Sequence, residues 1–341
     1  MTDYSKYNSV TDFTKVNSLS DWSKITGFDK PTTPPSGSIY GYISGGSTSG
    51  GDAKVNTTDV ITFSTEVVAA NTASNLSRAV YDLVGVSDKS TYGYVTGGFD
   101  GTRSVVTDRI VFATKVTSAN TASNLSAGRS SSAGHSDGSN YGYILGGYTG
   151  ANVAITDRIT FSSSITSANT ASNLSGAKRG HSGLSNGSTY GYVSSGYTSS
   201  VIVTTDRTVY STSITSVKTS SNLPAGLFVP GMLGDGTQYG YAISGMNSSF
   251  TIVSTAYRLT FSTEAYAANT VSNLSSNRWS YNGTNTSSTN GYLYGGATDG
   301  PGNPVATTDK IVFSTSVTSA NTVSNLPVKK YTAAGLSDGN V

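Results

Sequence analysis

The chain has 341 residues, with 21 lysines and arginines against 19 aspartates and glutamates, two histidines and no cysteine. A net charge of +2 and only 12% charged residues give no electrostatic footprint for nucleic acid or an anionic membrane. The missing cysteines exclude disulfides and thiolate metal sites, two histidines make a His-based metal centre unexpected, and no apolar run reaches the length of a membrane-spanning helix.

The chain begins with three nine-residue units: TDYSKYNSV (2–10), TDFTKVNSL (11–19) and SDWSKITGF (20–28). Tyr4 aligns with Phe13 and Trp22, and Val10 with Leu19 and Phe28. There is no apolar signal-peptide core. An arm spanning 1–29 is too small to fold on its own, so these six positions are read as anchors docking on a repetitive partner. Residues 30–37, KPTTPPSG, read as a stiff Pro-rich linker.

From residue 38 a longer repeat takes over. YGYISGG from Tyr40 recurs as YGYVTGG from Tyr92, YGYILGG from Tyr141, YGYVSSG from Tyr190, YGYAISG from Tyr239 and NGYLYGG from Asn290. A catalytic motif is needed once, and a part repeated six times is architecture. Two further markers run in step: an aromatic (Phe63, Phe112, Phe161, Tyr210, Phe261, Phe313) and a leucine (Leu76, Leu125, Leu174, Leu223, Leu274, Leu326), always 13 residues apart. From each leucine to the second Tyr of the next YGY is always 18 residues. Only the stretch between that Tyr and the aromatic varies, from 18 to 21, which marks a surface loop.

Each unit predicts four strands. Segment A ends in a turn such as SDGS (136–139) or SNGS (185–188), segment B is the YGY run, segment C is of the TDRIVF type and segment D is of the VTSANTASNL type. Asp-Gly and Asn-Gly suit tight hairpins because they tolerate positive φ. Four antiparallel strands repeated six times at this period predict an all-β fold, a six-bladed propeller over 38–341. The chain ends in segment A without B and starts its repeats in B without A. The C-terminal strand is therefore expected to complete the first blade and leave no open edge.

The glycine doublet closing segment B resembles the kelch repeat, over residues 38–341. The resemblance is divergent: the kelch Trp on the last strand is replaced by Asn-Leu, and its third-strand Tyr is mostly Phe. It implies a propeller used for binding.

Asp59, Asp108, Asp157, Asp206 and Asp309 stand four residues before the marker aromatic, with Tyr257 in the fifth repeat. They are read as holding turn amides or a neighbouring arginine at the strand start. Candidate ligand-binding residues fall where the repeat is broken. Segment B–C loops carry Phe99, Arg103, Tyr148, Tyr197 and Phe250. On the same face, D–A connections carry Arg129, Arg179, Arg278 and Trp279, with Arg78, Phe228 and Lys330 beside them. Rings stack on sugar faces and polar tips orient them. No isolated acid–base pair stands out, so no enzyme and no cofactor are expected.

A docking arm, a Pro linker and a charge-poor, Ser/Thr/Asn/Gly-rich β head resemble bacteriophage tail or capsid appendage proteins. The resemblance implies a virion protein made without a signal peptide. Its arm 1–29 would bind other virion proteins, and its head would bind host-surface glycan or decorate the particle. The charge balance and the lack of a long apolar run lead to the expectation of no nucleic-acid partner and no membrane insertion. The alternatives are a cellular kelch-type protein–protein interaction module and a propeller enzyme.

Overall fold

The structure, a computed structural model, describes residues 39–49, 53–279, 282–285 (backbone), 289–299 and 303–339. The anchor positions Tyr4, Val10, Phe13, Leu19, Trp22 and Phe28 lie outside the described residues. The described chain forms 24 strands in six four-stranded antiparallel sheets. Blade one takes β1 (Tyr40–Ser44), β2 (Thr58–Thr62) and β3 (Val67–Ala70) from the start of the repeats and β24 (Ala334–Ser337) from the end, in the order β24–β1–β2–β3. The other five blades are each continuous in sequence. The segment A strands adjoin one another around the axis. The expected six-bladed propeller is present and closed: Gly41 faces Ser337 and Ser44 faces Ala334.

Local chemistry explains the strand ends. Asp88 Oδ1 accepts the N–H groups of Ser90, Thr91 and Tyr92 at 2.9, 2.7 and 2.8 Å, holding the A–B hairpin of blade two. Asp137 and Asp235 repeat this. In blade one the hairpin is split between the two ends of the propeller. Asp338 still accepts from Ile39 and Tyr40 N–H at 2.8 and 2.9 Å. Segment D is shorter than the sequence suggests: four residues pair, and the Asn-Thr-Ala-Ser stretch turns into a single 3-10 turn. The asparagine ending that turn (Asn75, Asn124, Asn173, Asn222, Asn273 or Asn325) accepts a segment C N–H in all six blades.

The seams between blades repeat as regularly as the blades. The buried second Tyr of each YGY stacks on the marker aromatic of the next blade: Tyr42 on Phe112, Tyr94 on Phe161, Tyr143 on Tyr210, Tyr192 on Phe261, Tyr241 on Phe313 and Tyr292 on Phe63, at 5.5–6.0 Å. Each such pair adds about 0.5–1.5 kcal/mol beyond the area it buries. The serine of every 3-10 turn donates its hydroxyl to the carbonyl of the next blade's C–D turn, from Ser74 to Lys115 through to Ser324 to Glu66. This last bond closes the circle. In five seams the stacked Tyr hydroxyl reaches the side chain of that same turn residue: Ser164, Ser213, Glu264, Ser316 or Glu66.

The repeated aspartates hold cations at the strand start, but these come from the D–A connections and two are lysines, rather than the arginines that follow the aspartates. Asp157 accepts Ser126 N–H at 3.1 Å and pairs with Arg129 at 2.7 Å. Lys178 pairs with Asp206, Arg278 with Asp309, Lys330 with Asp59, and Arg78 with Asp108. Each cation comes from the D–A connection leading into the blade that holds its aspartate. The sequence reading of Arg129 and Arg278 as ligand-facing is therefore corrected. Both are fully buried, drawn beneath the rim by the carboxylate of the next blade. Lys330 is buried likewise. In blade five Tyr257 replaces the aspartate, and Leu227 replaces the cation within the same apolar cluster.

Candidate functional site

The face carrying the B–C and D–A loops is built on backbone pairs. In every blade the residue after the last glycine of the segment B motif exchanges two hydrogen bonds with the preceding D–A connection. The pairs are Phe99 with Tyr81, Tyr148 with Ser130, Tyr197 with Arg179, Met246 with Phe228, Ala297 with Trp279 and Ser47 with Tyr331. The glycine allows this close approach. At Gly46, with φ +100°, a Cβ would sit 2.7 Å from the Tyr331 carbonyl oxygen. Rim side chains thus stand on a paired scaffold rather than on free loops.

One position of this scaffold differs in size around the ring. Five D–A connections place a large side chain there (Tyr81, Arg179, Phe228, Trp279, Tyr331), and the sixth places Ser130. An open recess of about 370 Å³ lies at that gap, lined by Tyr81, Asp82, Phe99, Arg103, Ser130, Ser131, Tyr148, Arg179 and Phe228. Aromatic rings and guanidiniums alternate around it. Arg103 lies 6.0 Å from the Phe99 centroid and 4.4 Å from that of Tyr148. Arg179 lies 4.4 Å from Tyr148 and 5.3 Å from Tyr197. Tyr197 then meets Phe228 at 5.7 Å and Phe250 at 6.0 Å. Phe250 is 53% exposed with a left-handed φ of 56°.

The recess holds one acid. Burial pushes the Asp82 carboxyl up to about 6, against the opposing pull of the Ser131 hydroxyl bond and the Arg179 charge. Its backbone belongs to a ring of left-handed residues at the channel mouth: Asp82 N–H bonds Thr332, Ser131 N–H bonds Asp82, Gly180 N–H bonds Ser131 and Val229 N–H bonds Gly180.

Of the candidates from sequence, Phe99, Arg103, Tyr148 and Arg179 share the recess, and Tyr197 and Phe250 continue it. Trp279 lies on the same face but on another seam, 6.1 Å from Tyr331, its indole N–H donating to Asp299. Tyr81, Asp82 and Ser130 were missed by sequence reasoning. Ser130 carried a signal, since a small residue in an otherwise bulky repeat column leaves a gap. Both histidines are buried in seams. His135 stands where four other blades carry Val86, Leu184, Leu233 or Leu336 and one carries Thr284, within hydrogen-bond distance of Thr208 and Tyr210. Burial holds both rings down to about 3, so they are neutral packing groups at physiological pH. Among the described residues no cluster of three His, Cys, Asp or Glu residues has metal-binding geometry. No helix among them is long and apolar enough to cross a membrane.

A scan against known protein families and a search of curated proteins found no match to this chain.

Proposed function

We propose that this chain is a non-enzymatic binding protein whose propeller head engages a host-surface glycan while residues 1–29 anchor it to a virion. The observation that carries the binding half is the recess at Ser130, with aromatic walls and guanidinium tips. Aromatic faces present flat apolar area to sugar C–H groups, and polar tips fix orientation. The virion half is supported by the threefold aromatic repeat of the arm, the Pro-rich linker and the charge-poor β composition.

The test is binding of the labelled full chain to a panel of bacterial cells and their purified surface polysaccharides. Ser130→Trp and the double variant Tyr148→Ala, Tyr197→Ala serve as controls. Saturable binding lost in both variants supports the reading. Binding that survives both, or none on any surface, overturns it. A second reading, a protein–protein interaction module, is favoured by the exposed Phe250 beside Tyr197 and Phe228. It predicts a protein partner lost on Phe250→Ala and unaffected by Ser130→Trp.

A further inference from the structure

We infer that the Ser130 recess is selective for a sugar residue carrying a carboxylate. This inference rests on the glycan reading above and names the ligand class.

Every arginine among the described residues except Arg103 and Arg179 has a polar side-chain partner. Arg78, Arg129, Lys178, Arg207, Lys218, Arg278, Lys310 and Lys330 each pair with a carboxylate. Arg109, Arg158 and Arg258 stack on Tyr92, Tyr141 and Tyr239 on the opposite face, and each donates to a serine hydroxyl. Arg103 and Arg179 do neither. Among the described residues they have no carboxylate within salt-bridge distance and no side-chain hydrogen bond to a protein acceptor; they are held by Tyr148 alone and its aromatic neighbours. Stacking fixes the plane of a guanidinium and leaves its N–H fork unspent.

Both guanidiniums lie 4.4 Å from one ring centroid, so they are at most about 9 Å apart, near the screening length at physiological salt. Two like charges held this close on one ring make the recess beside Tyr148 favourable for an anion. A planar carboxylate matches the fork in a bidentate way. Asp82 on the same wall disfavours a doubly charged phosphate more than a singly charged carboxylate, and it offers an acceptor for a sugar hydroxyl. Ser130 and Ser131 line the floor, and Phe99 and Phe228 supply flat walls.

The test uses the full chain and calorimetric titration with two acidic probes, trigalacturonate and sialyllactose, each beside its neutral counterpart, methyl-esterified trigalacturonate and lactose. Inorganic phosphate is added as competitor. The expected result is saturable binding of an acidic probe, at least tenfold tighter than its neutral counterpart. This binding weakens with added salt, drops at least tenfold in Arg103→Gln and in Arg179→Gln, and vanishes in Ser130→Trp. Melting curves confirm that the variants fold, since neither arginine is in an ion pair. If neutral probes bind as tightly and Ser130→Trp abolishes them, the acid selectivity is overturned while the glycan reading stands. If millimolar phosphate displaces the sugar fully, a general anion site replaces the carboxylate site. If neither acidic probe binds while the chain still binds a surface polysaccharide, the carboxylate selectivity falls alone; if no surface binds either, both readings fall.

Discussion

The two faces of the ring are built from one repeat and have diverged to different degrees. On the face of the A–B and C–D turns, all six seams share the Tyr-on-aromatic stack and the serine-to-carbonyl bond. On the opposite face the backbone pairs are equally regular, but the side chains standing on them run through Tyr, Ser, Arg, Phe and Trp. Where side chains hold blades together, a change in one seam opens the ring, so variation stays chemically conservative. Where only backbone holds the scaffold, side chains are free to differ and one seam can open a recess.

The sharpest break of that comparison is at the buried ion pairs that separate the two zones. Asp157→Asn leaves Arg129 charged and fully buried, and loss of one partner of such a pair costs about 3–5 kcal/mol. Urea denaturation should register this as a large fall in midpoint. The molecule carries its own rescue. Blade five uses Leu227 and Tyr257 in place of cation and acid, so Arg129→Leu with Asp157→Tyr should recover most of the loss. If the double variant is as unstable as the single, the apolar seam is not transferable.

A second break lies in the seam that buries His135. In the neighbouring seam the positions of His135, Thr208 and Tyr210 are held by Val86, Ile159 and Phe161. The folded-state pKa of His135 is depressed to about 3 from an unfolded value of about 6.5. The unfolded chain therefore binds the extra proton. Stability from this group is complete above pH 6.5 and is lost as pH falls toward 3. At pH 5 the loss is about 2 kcal/mol. His135→Leu should flatten this slope. It leaves Tyr210 bonded to the Ser136 carbonyl and Thr208 to Thr215. An unchanged slope would assign the acid sensitivity to His181 or to other groups.

What was legible in the sequence follows the same division. The constant spacings from aromatic to leucine to tyrosine carried the blade count, the strand order and the ring closure, because each constant distance is one packed seam. The fates of Arg129 and Arg179 were not legible. Both lie in D–A connections, yet Arg129 stands four residues after its leucine and Arg179 five. That single step takes the side chain from beneath the rim to its surface. The recess was hidden for a different reason: it is made by the small size of Ser130, and reading for chemical groups overlooks a position whose role is to be empty.

The split hairpin of blade one tests closure more gently. Asp338→Ala removes the acceptor of the Ile39 and Tyr40 N–H groups and should cost about 1–2 kcal/mol, as loss of a capping carboxylate does. The same change at Asp137, whose hairpin is continuous, should cost no more. If Asp137→Ala costs clearly more, closure of the ring depends on strand pairing alone, and the carboxylate is incidental to it.

The smallest effect on stability falls on the rim, and there the comparison sharpens most. Ser130→Trp puts an indole where five other connections already carry a large side chain, on a backbone pair that persists. Its melting temperature should stay within the change expected for about 0.5 kcal/mol, as for a surface substitution, while ligand binding is lost. Asp82 gives the companion measurement. The neighbouring His181 is neutral between pH 7.5 and 5. Asp82, pushed up to about 6 by burial, is thus the group at this mouth that titrates between pH 7.5 and 5. Protonation removes one negative charge from the recess, so an acidic sugar should bind more tightly at pH 5 than at pH 7.5. Asp82→Asn should make the affinity independent of pH. A pH dependence that persists in Asp82→Asn would place the titrating group on the ligand, and the recess would then read its anion with the two arginines alone.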